Sequence, residues 1–435
     1  MLSLRYIIRL IQAFFKRFKA IIFISVFVGV LFFLVLNFLL PKISSESQRI
    51  GVVGRYTPDN MPNEITSKLS RGLTEVDING NVMPAIAKSW ESSDGGKTWT
   101  FYIDENAKWQ DGKKITSNDI NYEFSDATIE KIDEKAIRFN LDSQFSAFPV
   151  IVSKPLFKKG LIGTDEWRVK NISLAGGYLQ ELIISDSKNN SHVTDKMVYK
   201  FFPSEGRLRL AFKLGEIDII EKIQDPSPFD TWKTINIEKE VGYSNFVAIF
   251  FNTEDEKLSD KSIRQNLAYL IDKSTFTKER ALGPISPNSW AYNPQVKQYA
   301  KDLEKAKDIK DTKIILSTLP NLLKTAEKIK KDWEEAGIIC EIQVVTDVPL
   351  NYQAFLATVD IPKDPDQYSL WHSTQTATNI SKFKNPRIDK LLEDGRRELD
   401  KETRKKIYLD FQRFLVEEVP AVFLYHPTFY TISRK

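Results

Sequence analysis

From Ala20 to Leu40 the chain reads AIIFISVFVGVLFFLVLNFLL, 21 residues without a charge. At about 1.5 Å rise per residue, a helix of that length spans the roughly 30 Å hydrocarbon layer of a bilayer. The segment therefore predicts a transmembrane helix, and the rest of the chain must be arranged around it. A secretory leader would carry an apolar region of only about 7–15 residues and a small-residue cleavage site. Here the run is longer and ends in LLPKISSES, which reads as an uncleaved anchor. A diacylated lipoprotein is excluded, because the cysteine it requires is missing. Arg5, Arg9, Lys16, Arg17 and Lys19 precede the run with no acid among them, so the N-terminus is expected in the cytoplasm and the body outside the cell. The basic, amphipathic stretch LRYIIRLIQAFFKRF reads either as a helix along the inner leaflet or as a plain extension of the anchor.

Beyond the anchor, the net charge of +4 disappears: residues 42–435 hold 57 basic and 58 acidic side chains. A near-neutral body is not a polyanion binder. With 435 residues, 42% of them hydrophobic and 28% charged, the chain predicts a folded body of two or three lobes. The single cysteine, Cys340, can form no internal disulfide and no multi-thiolate metal site. In GIICEIQVV it shares a strand face with Ile338, Ile342 and Val344 and reads as a small buried hydrophobe.

Two rhythms organise that body. TWTFYID and AIRFNL alternate apolar side chains, Trp99, Phe101 and Ile103 in the first and Ile137, Phe139 and Leu141 in the second, and predict half-buried strands of one antiparallel sheet. Later, KIILST is followed by Leu322, Ala326, Ile329, Trp333 and Ala336 at helical spacing, then by Gly337 and the IICEIQVV strand. This predicts a right-handed βαβ unit with parallel strands. Two amphipathic helices, around Ile388, Leu391 and Leu392 and around Ile407, Phe411, Phe414 and Leu415, precede a closing strand, AVFLY. No internal repeat is visible.

Catalytic patterns are missing. His192, His372 and His426 lack the spacing of a helical metal pair, and there is neither a GxSxG elbow nor a GxxxxGK[ST] phosphate loop. The sequence predicts no enzyme, no catalytic residue, no metal site and no cofactor.

Turn-rich aromatic segments stand out instead. RGLTEVDINGNVMPAIAKSWESSDGGKTWTFYIDENAKWQDGKKITSNDINYEF is followed in order by SLAGGYLQ, RLRLAFKLGEIDII, FVAIFFNTEDEKLSDKSIRQNLAYLIDK, the DPDQY segment and NPRIDKLLEDGRRELDKETRKKIYLDFQRFLVEEVPAVFLY. This series resembles the family 5 extracytoplasmic solute-binding proteins of ABC transporters, the oligopeptide, dipeptide and nickel group, over essentially all of residues 50–430. The resemblance implies an α/β, periplasmic-binding-protein-like two-lobed clamp of class II type with a third lobe, closing on its ligand by hinge motion. With 1–19 read from its charge as a cytoplasmic basic segment and 20–40 as anchor, the resemblance implies a layout of 41–76 as tether and start of lobe I, 77–195 as extra lobe II, 196–254 as lobe I continued, 255–417 as lobe III and 418–435 as the return to lobe I. A longer helical insertion usual in the family is missing at NDINYEFSDATIEKIDEKAIRFNL, so the extra lobe is expected to be small.

One segment draws the chemistry together, DIPKDPDQYSLWH at 360–372. Asp364 as N-cap, Pro365 at the first helical position, Asp366 in the first turn and Gln367 at the capping-box position account for DPDQ without a ligand. Asp360 lies outside that motif. In peptide-binding relatives an aspartate a few residues before the DP element pairs with the ligand's α-ammonium, and Asp360 matches it with about one residue of insertion. It reads either as that partner or as a strand-end carboxylate in turn work. Tyr368, Trp371 and His372 follow as candidate aromatic walls, with Trp371 equally readable as core. Tyr178 of the GGY turn, Trp290 in PNSWAYNP and Asn252 after FVAIFF are further cleft candidates by their place in the family motifs. His372 alone hints at the group's metal carriers.

The resemblance implies a membrane-anchored receptor that captures peptides or a peptide-like solute and delivers them to an ABC permease, with no nucleic-acid partner. The alternative is a ligand sensor or envelope scaffold that uses the same clamp without transport.

Overall fold

Parallel strands need crossovers, whereas antiparallel ones can be joined by short turns. The chain uses both devices in separate sheets. The structure, a computed structural model, describes residues 16–21, 23–25, 27–33, 47–186, 196–276, 279–306, 309 and 312–435. The expected anchor falls partly outside them. Residues 16–21, 23–25 and 27–33 are helical, while 22, 26 and 34–46 lie outside the described residues. Among the described residues no helix is long and apolar enough to cross a membrane.

A seven-stranded sheet runs in the order Ile235–Val241, Thr428–Arg434, Ile219–Ile223, Ser47–Val53, Lys196–Phe202, Tyr178–Asp186, Trp167–Ala175. Its middle is parallel: Ser47–Val53 pairs in parallel with both Lys196–Phe202 and Ile219–Ile223. The Trp167–Ala175 and Tyr178–Asp186 hairpin turns at Gly176 and Gly177, whose positive φ values of 59° and 82° are the left-handed geometry a tight two-residue turn demands. Sheet membership thus places 167–186 with 47–53 and 196–202, where the sequence expectation had grouped 77–195 together. The cause is packing: Leu179, Leu182 and Ile184 share one buried cluster with Tyr199 and Phe201.

The second sheet has five strands, ordered Ile339–Val344, Lys313–Thr318, Ala354–Asp360, Asn245–Phe251, Ala421–Tyr425. The expected βαβ unit is here: Lys313–Thr318 pairs in parallel with Ile339–Val344, and Ala326, Ile329 and Trp333 of the Leu323–Glu335 helix are buried. Cys340 is buried beside it, and burial pushes its thiol up to about 12. Asn245–Phe251 is apolar on both faces and is the fourth strand of this sheet, paired on both sides. Sheet membership therefore changes at 242–244, not at the expected 254. Likewise Ala421–Tyr425 stays in the five-stranded sheet and only Thr428–Arg434 returns to the larger one.

A small four-stranded antiparallel sheet joins Ala87–Glu91, Thr98–Ile103, Ala136–Leu141 and Ala127–Lys131, with Trp99 opposite Phe139 as the alternation predicts. Phe101, Phe139 and Phe148 fill its core at centroid distances of 5.1–6.2 Å. Between Asp119 and Ala127 there is no helix, in line with the short sequence there.

The two large sheets are thus joined twice, by 242–244 and by 426–427. At these crossovers the Gly242 amide donates to the Pro427 carbonyl at 2.8 Å. A Cβ on Gly242 would overlap the Phe429 ring, so glycine is what lets the two passages lie against each other.

Candidate functional site

The antiparallel register between Asn245–Phe251 and Ala354–Asp360 sets Asn245 opposite Asp360, at the end of the five-stranded sheet nearest the crossovers. The Ile361 amide donates to the Ser244 carbonyl at 2.7 Å, tying the residue after Asp360 to the first crossover. Asp360 is exposed, and its carboxylate accepts a hydrogen bond from the Asn245 side-chain amide. Among the described residues no cation pairs with it.

The facing wall follows from the other sheet's register. Ile219–Ile223 is parallel to Ser47–Val53 and antiparallel to Thr428–Arg434, so the carboxyl end of Ser47–Val53 lies at the edge where Thr428–Arg434 begins. That edge is where the chain arrives from Tyr425. Gly54, Arg55 and Pro203, which follow the parallel strands, line a pocket of about 270 Å³ with Tyr178, Gln180 and Phe201. Crevices outside the carboxyl ends of parallel strands are the usual ligand sites of open α/β sheets. Burial pushes the Glu64 carboxyl up, yet its bond to Lys222 at 2.7 Å and the nearby Lys363, two residues past Ile361, hold it below the usual range.

Four residues beyond Asp360 the chemistry changes. Asp364 is buried and receives two hydrogen bonds from Arg404, one at 2.8 Å to Oδ2 and one at 2.5 Å to Oδ1. Burial alone would lower the Arg404 guanidinium, but Asp364 and Tyr408 hold it above its ordinary range. Asp366 is buried against Arg396 at 3.0 Å, and desolvation raises its carboxyl despite that cation. The expected cap on DPDQ is corrected accordingly. Helix forms only at Tyr368–Trp371, with Gln367 as N-cap making no side-chain cap bond. The aspartates make short local turns, Asp364 accepting from the Asp366 amide at 2.8 Å and Asp366 from the Tyr368 amide at 3.0 Å. Distant arginines claim their remaining oxygens. Gln367 is 0% exposed, and neither atom of its carboxamide has a hydrogen-bond partner among the described residues.

The aromatic candidates scatter. Trp371 is 1% exposed, stacked on Phe250 at 5.8 Å and tilted against Phe423, so it is core and not a cleft wall. His372 is buried under the Tyr368 ring at 4.0 Å, its Nδ1 2.8 Å from the Thr374 hydroxyl and its Nε2 3.5 Å from Glu393. The Arg396 guanidinium lies 4.1 Å from the centre of the Tyr368 ring. This stack packs on the Pro386–Arg397 helix, and among the described residues no acid, histidine or cysteine cluster could hold a metal ion. Asn252 is buried, donating to the Tyr352 carbonyl at 2.9 Å and accepting from the Glu254 amide at 3.1 Å, which is turn work. Trp290 is half-buried against Tyr408, and its amide donates to Asn79 at 3.1 Å, bridging the small-sheet region to the Lys401–Glu418 helix. Tyr178, 42% exposed, stands at the hairpin turn beside Arg55. Of the seven residues picked from sequence, Asp360 and Tyr178 are the exposed ones.

The sequence reading passed over Arg55, Asn245 and Glu64. Asn245 becomes legible only through its register with Asp360, and Arg55 only through strand order. His426 is buried at the second crossover with Nδ1 2.7 Å from the Asn245 carbonyl and its ring edge-on to Tyr243 at 5.3 Å. His192 lies outside the described residues.

Comparison with known proteins covers nearly all of this architecture. The family described as bacterial extracellular solute-binding proteins, family 5, middle, matches residues 81–128 and 121–379. The chain is similar to the oligopeptide-binding protein AppA of Bacillus subtilis, 22% identical over 455 residues, covering 86% of this chain and 83% of that protein. It is 23% identical over 447 residues to the dipeptide-binding protein of Escherichia coli, covering 81% of this chain and 82% of that one. Among solved structures, NikZ of Campylobacter jejuni in complex with Ni(L-His) superposes with a TM-score of 0.72 at 20% identity, over 90% of this chain and 95% of that chain.

Proposed function

The chain belongs to the family 5 bacterial extracellular solute-binding proteins, and from that premise we propose that it is a membrane-tethered receptor that captures a peptide, or a peptide-like solute, between two lobes and passes it to an ABC permease. The observation that carries this reading is Asp360: an exposed carboxylate at the end of the five-stranded sheet nearest the crossovers, held by one amide and by no cation among the described residues. A carboxylate so placed is oriented and free to accept an ammonium. In a closed, largely dry crevice that charged hydrogen bond contributes on the order of 1.5–3 kcal/mol.

The lobes are taken as the seven-stranded sheet with its helices, the five-stranded sheet with its helices, and the four-stranded sheet as a reduced third lobe. Closure runs through the 242–244 and 426–427 crossovers, since two short links permit rotation of one lobe against the other. Tethering rests on the 20–40 run. Its described residues Ile21, Phe23, Phe27 and Phe33 are each more than 60% exposed, an apolar surface that water would not leave uncovered and lipid would. Names of related proteins include oligopeptide and dipeptide binders, which favours a peptide over a bare metal, as does the burial of His372.

Native mass spectrometry of the full-length chain, purified in detergent and mixed with a library of two- to five-residue peptides, tests this. Retention of a subset of peptides at micromolar concentration is the expected result. Silence across the library removes the reading.

A further inference from the structure

We propose that the 77–81 turn of the four-stranded lobe is a latch: it grips the five-stranded lobe in the arrangement described above, with or without a solute, and the clamp opens only when that grip is released. This rests on the two-lobed receptor reading and adds what controls its opening.

The small lobe is attached to its two neighbours differently. The chain enters it from the seven-stranded lobe between Leu69 and Leu73 and returns to that lobe between Leu156 and Phe157, where the buried cluster each residue joins changes. Gln110 adds to this attachment, its side-chain amide donating to the Asp165 and Trp167 carbonyls at 2.8 and 2.7 Å. No chain passage joins the small lobe to the five-stranded one. Rotation of the two large lobes about the 242–244 and 426–427 crossovers therefore loads the seam that has no covalent link.

That seam is built around a preformed knob. The Asp77 carboxylate accepts the Asn79 and Asn81 amides, both at 2.8 Å, and the Asn81 side-chain amide at 2.9 Å, so the turn is fixed by its own bonds. Its tip meets the five-stranded lobe: the Trp290 amide donates to the Asn79 carbonyl at 3.1 Å and Lys401 Nζ to Asn81 Oδ1 at 2.5 Å. Gly80 is buried between them with φ 80°, and a Cβ there would lie 2.9 Å from the Lys363 carbonyl oxygen. A second grip lies beyond the turn, where the Ser146 amide donates to the Arg396 carbonyl at 2.7 Å and the Arg396 guanidinium stands 4.8 Å from the centre of the Phe145 ring. Lys363 is three residues past Asp360, and its charge also acts on Glu64 in the seven-stranded lobe, so all three lobes meet at the segment that carries the candidate site. Contacts between lobes that are polar and limited in area permit relative motion, which a latch needs and a large apolar seam would forbid.

The test is fluorescence energy transfer in the full-length chain in detergent, labelled at Leu214→Cys on the seven-stranded lobe and Leu350→Cys on the five-stranded one, positions 66% and 91% exposed, while the native Cys340 is buried. Without peptide, this chain is expected to give the same transfer efficiency as with saturating peptide from the two- to five-residue library. Gly80→Asn keeps the turn, since asparagine tolerates left-handed backbone, but sets a side chain against the Lys363 carbonyl. It is expected to depart from that efficiency without peptide and to return to it with peptide, and Lys401→Met to shift the same way by less. Hydrogen exchange at the Trp290 and Ser146 amides is expected to quicken about tenfold or more in Gly80→Asn, with Thr98–Ile103 still protected as proof that the small lobe is folded. A latched chain whose efficiency changes on adding peptide as much as that of Gly80→Asn, or variants indistinguishable from it, overturns the inference. If no peptide binds, the receptor reading falls, and the shift produced by Gly80→Asn still decides the latch.

Discussion

Asp360 and Asp364 stand four residues apart in one segment and do opposite things. Asp364 is buried, forked by Arg404 and part of the core around the Lys401–Glu418 helix. Asp360 is exposed at a sheet end, oriented by Asn245 and left without a cation among the described residues. The difference is one of solvation. A buried carboxylate must be paired or it cannot stay charged, whereas an exposed one can wait for a partner because water already stabilises it. Residue type says nothing about which role an aspartate takes; the residue packed against it decides.

Breaking the buried side of the comparison has the largest expected effect. Arg404→Ala leaves Asp364 charged and alone in the core, and is expected to destabilise the chain by roughly 3–5 kcal/mol, read from the denaturant midpoint of the ectodomain transition. Asp360→Asn is expected to leave that midpoint unchanged. Comparable losses in both variants would erase the distinction drawn between the two aspartates.

A smaller effect sharpens the picture at the crossover that shares Asn245 with Asp360. Burial, together with the positive charge of Arg280, holds the His426 imidazole below its ordinary range, although the Asn245 carbonyl and Glu279 act in the opposite sense. Tyr243, whose hydroxyl bonds Glu279 at 3.1 Å, completes the titratable neighbours. Because the folded chain resists the proton that the unfolded chain accepts, this residue's contribution is intact above the ordinary histidine pKa of about 6.5 and lost as pH falls below it. Stability is expected to decline from pH 7.5 to 5.5 with a share for this group of at most about 1.4 kcal/mol per pH unit. His426→Gln should flatten that share in a pH series of denaturation curves; an unaltered slope would remove His426 from the account.

The same contrast explains what the sequence disclosed. Periodicity was sufficient for the βαβ unit, where Ala326, Ile329 and Trp333 bury the helix face that their spacing marks, and for the Trp99 and Phe139 strands. Those patterns are local, and burial enforces them residue by residue. The DPDQ cap was misread because the partners of its aspartates, Arg396 and Arg404, lie 30 and 40 residues away, and local capping rules carry no information about them. Trp371, His372 and Asn252 failed as cleft residues for a related reason. An aromatic or amide beside a functional segment looks the same in sequence whether it points into a core or a crevice. Asp360 was singled out because it lay outside the local motif, and its pairing with Asn245 emerged only when the strand register was known.

The most direct test of the account is calorimetric titration of wild type and Asp360→Asn with one bound peptide from the library in two forms, free and N-acetylated. The expected result is a loss of about tenfold or more on the free peptide in the variant, and near-equal affinities of the two proteins for the acetylated form. Equal affinities of wild type and variant for the free peptide would contradict the assignment of Asp360 as the ammonium partner.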